Sequence, residues 1–132
     1  MENPIFDTVV IGGGASGLTA AIFAARCGCR VMVLERKDKL CKKIYATGNG
    51  KCNFTNKNWQ AACFRGSDSS FAEPILRSFS FEDTVAFFKE IGVYPKERNG
   101  YYYPASEQAA SVAESLVREA KRQALQKDLR HR

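Results

Sequence analysis

A glycine-rich turn between two strand-like segments constrains this chain more than any other feature. The apolar run before the turn stops at Gly12, and the pattern G-x-G-x-x-G falls on Gly12, Gly14 and Gly17. In a strand–turn–helix unit the first glycine permits a sharp turn, the second lets the backbone approach a pyrophosphate, and the third allows close helix–sheet packing. The free amides at the helix N-terminus favour negative charge. The pattern predicts a dinucleotide-binding βαβ unit over residues 8–35.

The residues after the turn agree with this unit. Small alanines recur along the expected helix, Gly28 stands where the helix would end, and a β-branched strand runs up to Glu35. Glu35 follows Gly17 by 18 positions, close to the offset of the acid that holds an adenosine ribose. A carboxylate there accepts hydrogen bonds from the ribose hydroxyls and repels a 2′-phosphate, which favours FAD or NAD over NADP. The alternative is a solvated glutamate at the end of an ordinary strand.

A second unusual stretch covers residues 46–56, where glycines, amides, hydroxyls and a lysine stand together. Such a loop offers exposed backbone N–H groups and short polar side chains, which suit a phosphate, a ribityl chain or the edge of a flavin ring. The alternative is a turn-rich surface loop without a ligand. The basic residues that lead into it, 36–43, predict a surface connection rather than core.

The second half of the chain carries mostly local signals. Residues 57–79 show little pattern beyond a possible short helix start near Pro74. A capping-box spacing at Ser80–Asp83 opens a helix with Val85, Phe88 and Ile91 on one face, and Gly92 would end it. Asn99-Gly100 between strand-like flanks predicts a β-hairpin that Pro104 ends.

The last predicted element is an amphipathic helix that Ser106 would cap. Its apolar residues recur at helical spacing and predict a core-facing stripe: Ala109, Val112, Ala113, Leu116, Val117 and Ala120. The pattern fades over residues 126–132 into a frayed, cationic helix end. No third parallel strand is predicted, so we expect an open sheet edge beside the second strand that invites self-association. The expected fold class is an incomplete Rossmann-like α/β core with a hairpin and a C-terminal helix.

Charge and cysteine content narrow the function classes. The 132 residues carry a net charge of +6. A basic surface around an anionic cofactor or substrate accounts for this charge as well as a nucleic-acid-binding function would. The five cysteines include no C-x-x-C pair, so no metal site is predicted, and their odd number without a signal peptide favours a reducing cytoplasm. No apolar run approaches the roughly 18 residues of a membrane span.

With both glycine loops placed, the chain resembles the N-terminal part of bacterial NAD(P)/FAD-dependent oxidoreductases of the glutathione-reductase-like superfamily. The group it most resembles is the aminoacetone oxidase-like flavoproteins, which include bile-acid enone reductases. Three blocks carry the resemblance: residues 12–35, residues 42–56, and residues 92–106 leading into the last helix. The second block is the specific one, because many flavoproteins share the first. In this family Gly generally stands at the position of Asn49 and Arg at that of Lys51.

The resemblance implies that the first block binds the ADP half of FAD and that the second approaches the pyrophosphate and the flavin. The residues it implicates are Gly12, Gly14, Ala15, Ser16, Gly17, Glu35, Arg36, Lys43, Thr47, Gly48, Asn49, Lys51, Cys52 and Asn53. Cys52 has no partner cysteine at redox spacing, so a packing role is favoured over a redox role. No catalytic residue is assigned.

Two function classes follow from these patterns. The first is the FAD-binding portion of a flavin oxidoreductase that uses NAD(P)H, with residues 1–132 as one N-terminal portion truncated before a substrate domain. Residues 1–56 would carry the two glycine loops, and residues 57–132 the helix, hairpin and helix. The second is a non-enzymatic module that binds FAD, NAD or ADP, or a subunit that needs a partner chain. The short chain alone is expected to be inactive, with a small-molecule substrate bound only by the complete enzyme.

Overall fold

The computed structural model describes residues 4–68 and 70–123, and the backbone of residues 126–129. In chain order the elements are β1 (Thr8–Ile11), α1 (Ala15–Arg26), β2 (Val31–Glu35), a 3₁₀ segment (Lys42–Gly50), β3 (Thr55–Asn56), a 3₁₀ turn (Ala61–Cys63), α2 (Ala72–Ser78), α3 (Phe81–Glu90), β4 (Pro95–Arg98), β5 (Tyr101–Pro104), α4 (Ala109–Arg122) and β6 (Gln126–Leu129). They form a Rossmann-like α/β fold with one parallel and one antiparallel sheet.

The parallel sheet has the strand order β1-β2-β6. Val10 lies opposite Val33 in the first pair, and Met32 lies opposite Gln126 in the second. The expectation of a frayed helix end without a third strand is therefore wrong for residues 126–129, while residues 130–132 lie outside the described residues. The predicted open edge beside β2 is also wrong, because β6 pairs with it. Strand β6 follows from long-range pairing with β2, which a local pattern of polar residues does not reveal.

Close approach between the first turn and α1 explains the glycine pattern. Gly12 has φ +99°, a left-handed conformation that permits the turn out of β1. A Cβ at Gly17 would lie 1.9 Å from the carbonyl oxygen of Gly12, so only glycine lets the helix approach the strand this closely. On its inner side α1 buries Leu18, Ala21 and Ile22 against the sheet. The predicted βαβ unit over residues 8–35 is confirmed.

Helix α4 forms the other wall of the core and packs against α1 and the 3₁₀ segment. Five residues of the predicted stripe are buried: Ala109, Val112, Ala113, Leu116 and Ala120. The predicted cap is wrong, because Gln108 is the N-cap residue and no side chain caps this helix among the described residues. Ser106 lies two residues before the N-cap, and its Oγ accepts a 3.3 Å hydrogen bond from the amide of Gln108 instead.

Helix α3 and the hairpin follow their local signals. Ser80 and Asp83 form the predicted capping box, in which each side chain accepts a hydrogen bond from the other residue's amide. Of the predicted face, Ile91 at the C-cap is buried and Phe88 packs against the core. Phe87, which the prediction omitted, is the buried residue within α3. The turn between β4 and β5 has φ +53° at Asn99 and +86° at the following glycine, as an Asn-Gly hairpin requires.

The connection after β2 differs from its predicted surface position. Leu40 and Cys41 are 7% and 1% exposed, and the amide of Cys41 donates a 2.7 Å hydrogen bond to the carbonyl of Gly13. Through these two buried residues the connection packs against the glycine turn, although the residues on either side of them in the chain are basic and exposed. Within the described ranges, no helix is long and apolar enough to cross a membrane.

Candidate dinucleotide-binding site

The glycine turn leaves an open approach to the start of α1. Gly14 is the N-cap residue with φ −81° and ψ −170°, and a Cβ built on it would meet nothing within 4 Å. No side chain among the described residues caps α1, so its first amides receive no side-chain hydrogen bond. A helix N-terminus with free amides beside an unobstructed glycine can accept an anionic group on its backbone.

Glu35 lies at the end of β2, directly beside the turn. Its Oε2 accepts a 2.7 Å hydrogen bond from the amide of Gly13, and its Oε1 accepts one of 2.7 Å from the amide of Lys37. The Lys37 hydrogen bond is the main reason why the pKa of Glu35 lies below its ordinary value, and the Gly13 hydrogen bond adds to this. Since a carboxylate oxygen accepts more than one hydrogen bond, both oxygens retain capacity for a pair of ligand hydroxyls.

The two glycine loops meet at one cavity of about 380 Å³. Five of the residues predicted for cofactor binding line it: Ala15, Ser16, Thr47, Cys52 and Asn53. The first two belong to the start of α1, and the others to the second loop. The structure therefore brings together residues that are about 30 to 40 positions apart in the chain.

The second loop is folded back on itself by backbone contacts. The amide of Cys52 donates a 3.0 Å hydrogen bond to the carbonyl of Thr47, and a Cβ at Gly48 would lie 2.6 Å from the amide nitrogen of Asn53. Gly48, with φ +55°, is therefore required for the fold of the loop itself. Burial raises the pKa of the Cys52 thiol, so this side chain is protonated near neutral pH and packs as a small apolar group.

Other predicted residues lie outside the lining of this cavity. Gly12, Gly14 and Gly17 shape the turn, and Glu35 lies beside it; Arg36, Lys43 and Asn49 are exposed. Lys51 directs its ammonium group toward Glu107, 4.0 Å away. A second cavity of about 430 Å³, between residues 38–45 and α4, contains none of the predicted cofactor residues.

Sequence reasoning missed most of the apolar lining of the 380 Å³ cavity. These apolar residues are Ile44, Phe54, Phe79, Phe87, Phe88, Val112 and Leu116, and the hydroxyl-bearing Thr19 and Thr84 complete the lining. Val112 and Leu116 belong to the apolar stripe of α4. The helical periodicity therefore predicted that they are buried in the core, but not that they line a cavity. Three of the aromatic residues contact one another: the ring centroid of Phe88 lies 4.8 Å from that of Phe54 and 5.4 Å from that of Phe87. A wall of packed aromatic rings suits a flat, apolar ring system.

The fold and the glycine turn define the class of protein: a Rossmann-type α/β domain with a dinucleotide-binding glycine turn. The chain belongs to the family of HI0933-like Rossmann domains, whose model matches residues 6–132.

Three known proteins illustrate the relationship. The chain is 50% identical over 116 residues to a 3-dehydro-bile acid delta(4,6)-reductase of Clostridium scindens, covering 86% of this chain and 28% of that protein. It is 26% identical over 117 residues to the ribosomal RNA dihydrouridine synthase of Escherichia coli, covering 89% and 29%. The structure of 3-ketosteroid-delta4-(5alpha)-dehydrogenase from Rhodococcus jostii superposes with a TM-score of 0.61 at 16% identity, covering 94% and 37%, which shows a shared fold. The chain thus spans less than a third of the length of these two curated relatives.

Proposed function

We propose that this chain is the FAD-binding portion of a flavin-dependent oxidoreductase and that its two glycine loops hold the cofactor together. The observation that carries the proposal is that both loops line one cavity, Ser16 from the start of α1 and Thr47 and Asn53 from the second loop. The open Cβ direction of Gly14 fits a pyrophosphate against the backbone. The residues present therefore fit FAD.

Each part of the site has a separate role in this proposal. The amides at the start of α1 receive the pyrophosphate, and Glu35 accepts hydrogen bonds from the adenosine ribose. The second loop offers backbone N–H groups and the side chains of Thr47, Cys52 and Asn53 to the flavin end, supported by Gly48, Asn49, Lys43 and Lys51. When bound, FAD supplies two-electron redox chemistry, and the protein supplies orientation and electrostatics. NAD(P)H is the proposed electron donor of the complete enzyme.

The names of two relatives suggest a substrate class. One is a delta(4,6)-reductase of 3-dehydro-bile acids, and another is a synthase of dihydrouridine, which differs from uridine by two hydrogens across a carbon–carbon bond. Both reactions reduce a double bond conjugated to a carbonyl group. We propose the same reaction class for the complete protein, with the aromatic wall of the cavity beside a flat ring.

A substitution at Gly14 tests the cofactor site. Titration with FAD, followed by flavin fluorescence and calorimetry, should show binding to the native chain and no measurable binding to Gly14→Val, because the branched side chain would fill the pyrophosphate position. Gly14 has an ordinary negative φ, so the variant should keep its circular dichroism spectrum. Cys27→Val at the far end of α1 is the control, because Cys27 is exposed and has a negative φ of −82°, and this variant should keep its FAD affinity. Unchanged affinity in a folded Gly14→Val protein would contradict the proposal.

The alternative is a module that binds a nucleotide without catalysis. Flavin absorbance that persists through purification favours the oxidoreductase, whereas a colourless protein that binds ADP with equal affinity to FAD favours the module. We also propose a cytoplasmic location, because all five cysteines are free thiols, as is usual in reducing compartments.

A further inference from the structure

Three cations converge on one carboxylate beside the second loop. Glu107 lies between β5 and α4, and its Oε2 accepts a 2.8 Å hydrogen bond from the Nζ of Lys96. Its Oε1 pairs with Arg98 and lies 4.0 Å from the Nζ of Lys51. In the part of the chain that the structure describes, each of these cations has its ion pair with Glu107. The cluster therefore holds two more positive than negative charges.

The conformation of Glu107 is unusual for its residue type. Its φ is +54°, a left-handed conformation that costs free energy for any residue with a side chain. The three cations hold the pKa of this carboxyl below its ordinary value, chiefly through the Lys96 hydrogen bond. A strained backbone thus presents an ionised carboxylate to a group of cations that lies largely at the surface.

The position of the cluster connects it to the proposed site. Lys51 directly precedes Cys52 and Asn53, which line the 380 Å³ cavity. Lys96 pairs across the hairpin with Tyr103, and Arg98 with Tyr101; directly opposed residues of an antiparallel pair share one face of the sheet. That face therefore carries two cations beside two tyrosines, and Tyr101 is 47% exposed. It offers an accessible anchoring point at the end of the loop that leads into the cavity.

We propose that Lys51, Lys96 and Arg98 form a binding site for an anionic group of the substrate, a phosphate or a carboxylate, and that the Glu107 carboxylate occupies this site until the substrate enters. This inference rests on the proposed function, because the anchored molecule must react at the flavin that the 380 Å³ cavity would hold. The excess of positive charge attracts the anion, and displacement of Glu107 frees the three cations to bind it. Electrostatic anchoring of this kind raises the rate of encounter as well as affinity.

Two probes distinguish the source of the anion. Cholate carries one carboxylate on an apolar ring system, and a five-nucleotide single-stranded RNA carries phosphodiesters. Binding of each to the FAD-loaded chain is measured at fixed ionic strength, by nuclear magnetic resonance for cholate and by fluorescence anisotropy for labelled RNA. Arg98→Gln should lower the affinity for the probe that binds by about twofold to fivefold, the range of an exposed charge pair. Glu107→Gln should strengthen it by a similar factor, because the competing carboxylate is lost.

Matched variants separate this outcome from a structural role. Arg77→Gln removes an exposed guanidinium that pairs with Glu73 on α2, and it should leave the affinity of both probes unchanged. Arg98→Glu serves as a second charge variant if Glu107→Gln fails to fold. It should abolish binding of the probe whose affinity Arg98→Gln lowers. The proposal is overturned if Arg98→Gln leaves the affinity for both probes unchanged, or if Glu107→Gln weakens the binding of the probe. The FAD affinity of every variant is measured in parallel, so that a failed cofactor site is recognised separately.

Discussion

The amide of Gly13 donates a 2.7 Å hydrogen bond to the Oε2 of Glu35. This contact joins the turn after β1 to the end of β2. It fixes the carboxylate of Glu35 beside the same open space that Gly14 faces. An acid in this position can hold ligand hydroxyls while its own orientation is set by the backbone.

We expect Glu35→Gln to weaken FAD and ADP binding by about 1.5–3 kcal/mol, roughly tenfold to a hundredfold, because hydrogen bonds to a charged acceptor are lost. The variant should also discriminate less against 2′-phospho-ADP. Calorimetric titration with FAD, ADP and 2′-phospho-ADP checks both effects. Glu73→Gln on α2 is the control, since that carboxylate pairs with Arg77. Equal discrimination in Glu35→Gln and the native chain would remove Glu35 from the ribose site.

Gly17→Ala should destabilise the fold rather than only the binding site. Its Cβ would lie 1.9 Å from the backbone carbonyl oxygen of Gly12, and backbone cannot yield as a flexible side chain does. We expect a loss of at least about 1–3 kcal/mol in the free energy of unfolding, measured by urea denaturation. Gly14→Ala, whose Cβ meets no neighbour within 4 Å, should lose less than about 1 kcal/mol. Equal losses in the two variants would argue against the close approach of α1 to the turn.

Glu119 should make stability depend on pH. Its side chain is 9% exposed and pairs with Arg26 and Arg122, and the Arg122 hydrogen bond is the main cause that lowers its pKa from 4.5 to about 2. Because the folded pKa is the lower one, the stabilisation is fully present above about pH 5 and is lost as the pH falls toward 2. We expect it to be on the order of 2–3 kcal/mol.

Urea denaturation of native and Glu119→Gln proteins between pH 7 and pH 2 measures this contribution. The difference between their free energies of unfolding should shrink steadily below pH 5. A difference that stays constant down to pH 2 would show that the ion pairs of Glu119 contribute nothing through its charge.

Cysteine labelling should separate exposed from buried thiols. Cys27 and Cys63 are exposed, whereas Cys41 and Cys52 are buried. Burial raises the pKa of Cys41 to about 11 and also raises that of Cys52. Near pH 8 the thiolate fraction of Cys41 is roughly a hundredfold below that of a thiol of ordinary pKa, and access is limited as well. Timed iodoacetamide labelling with peptide mass spectrometry should find Cys27 and Cys63 modified first. Early modification of Cys52 would instead support the redox role that its packing argues against.

Several parts of the fold and the site were predictable because their signals are local. The glycine spacing, the Ser80–Asp83 capping box and the Asn99-Gly100 turn each depend on backbone conformations that few residue types favour, within windows of a few residues. The stripe of α4 was readable because one helical period repeats over three turns. The five cofactor residues that line the cavity were implied by the family resemblance of the two glycine loops.

Tertiary structure decided what depends on partners far along the chain. Strand β6 is polar in sequence and pairs with β2, Cys41 is buried because it contacts Gly13, and Phe87 rather than Val85 is the buried residue of α3. The cavity joins α1, the second loop, α3 and α4, and the cations around Glu107 come from the second loop and β4. By itself the sequence determined the βαβ unit, the hairpin and the main helices, since these depend on short-range preferences. Pairing, burial and charge convergence depend on which distant surfaces meet, and only the folded chain specifies that.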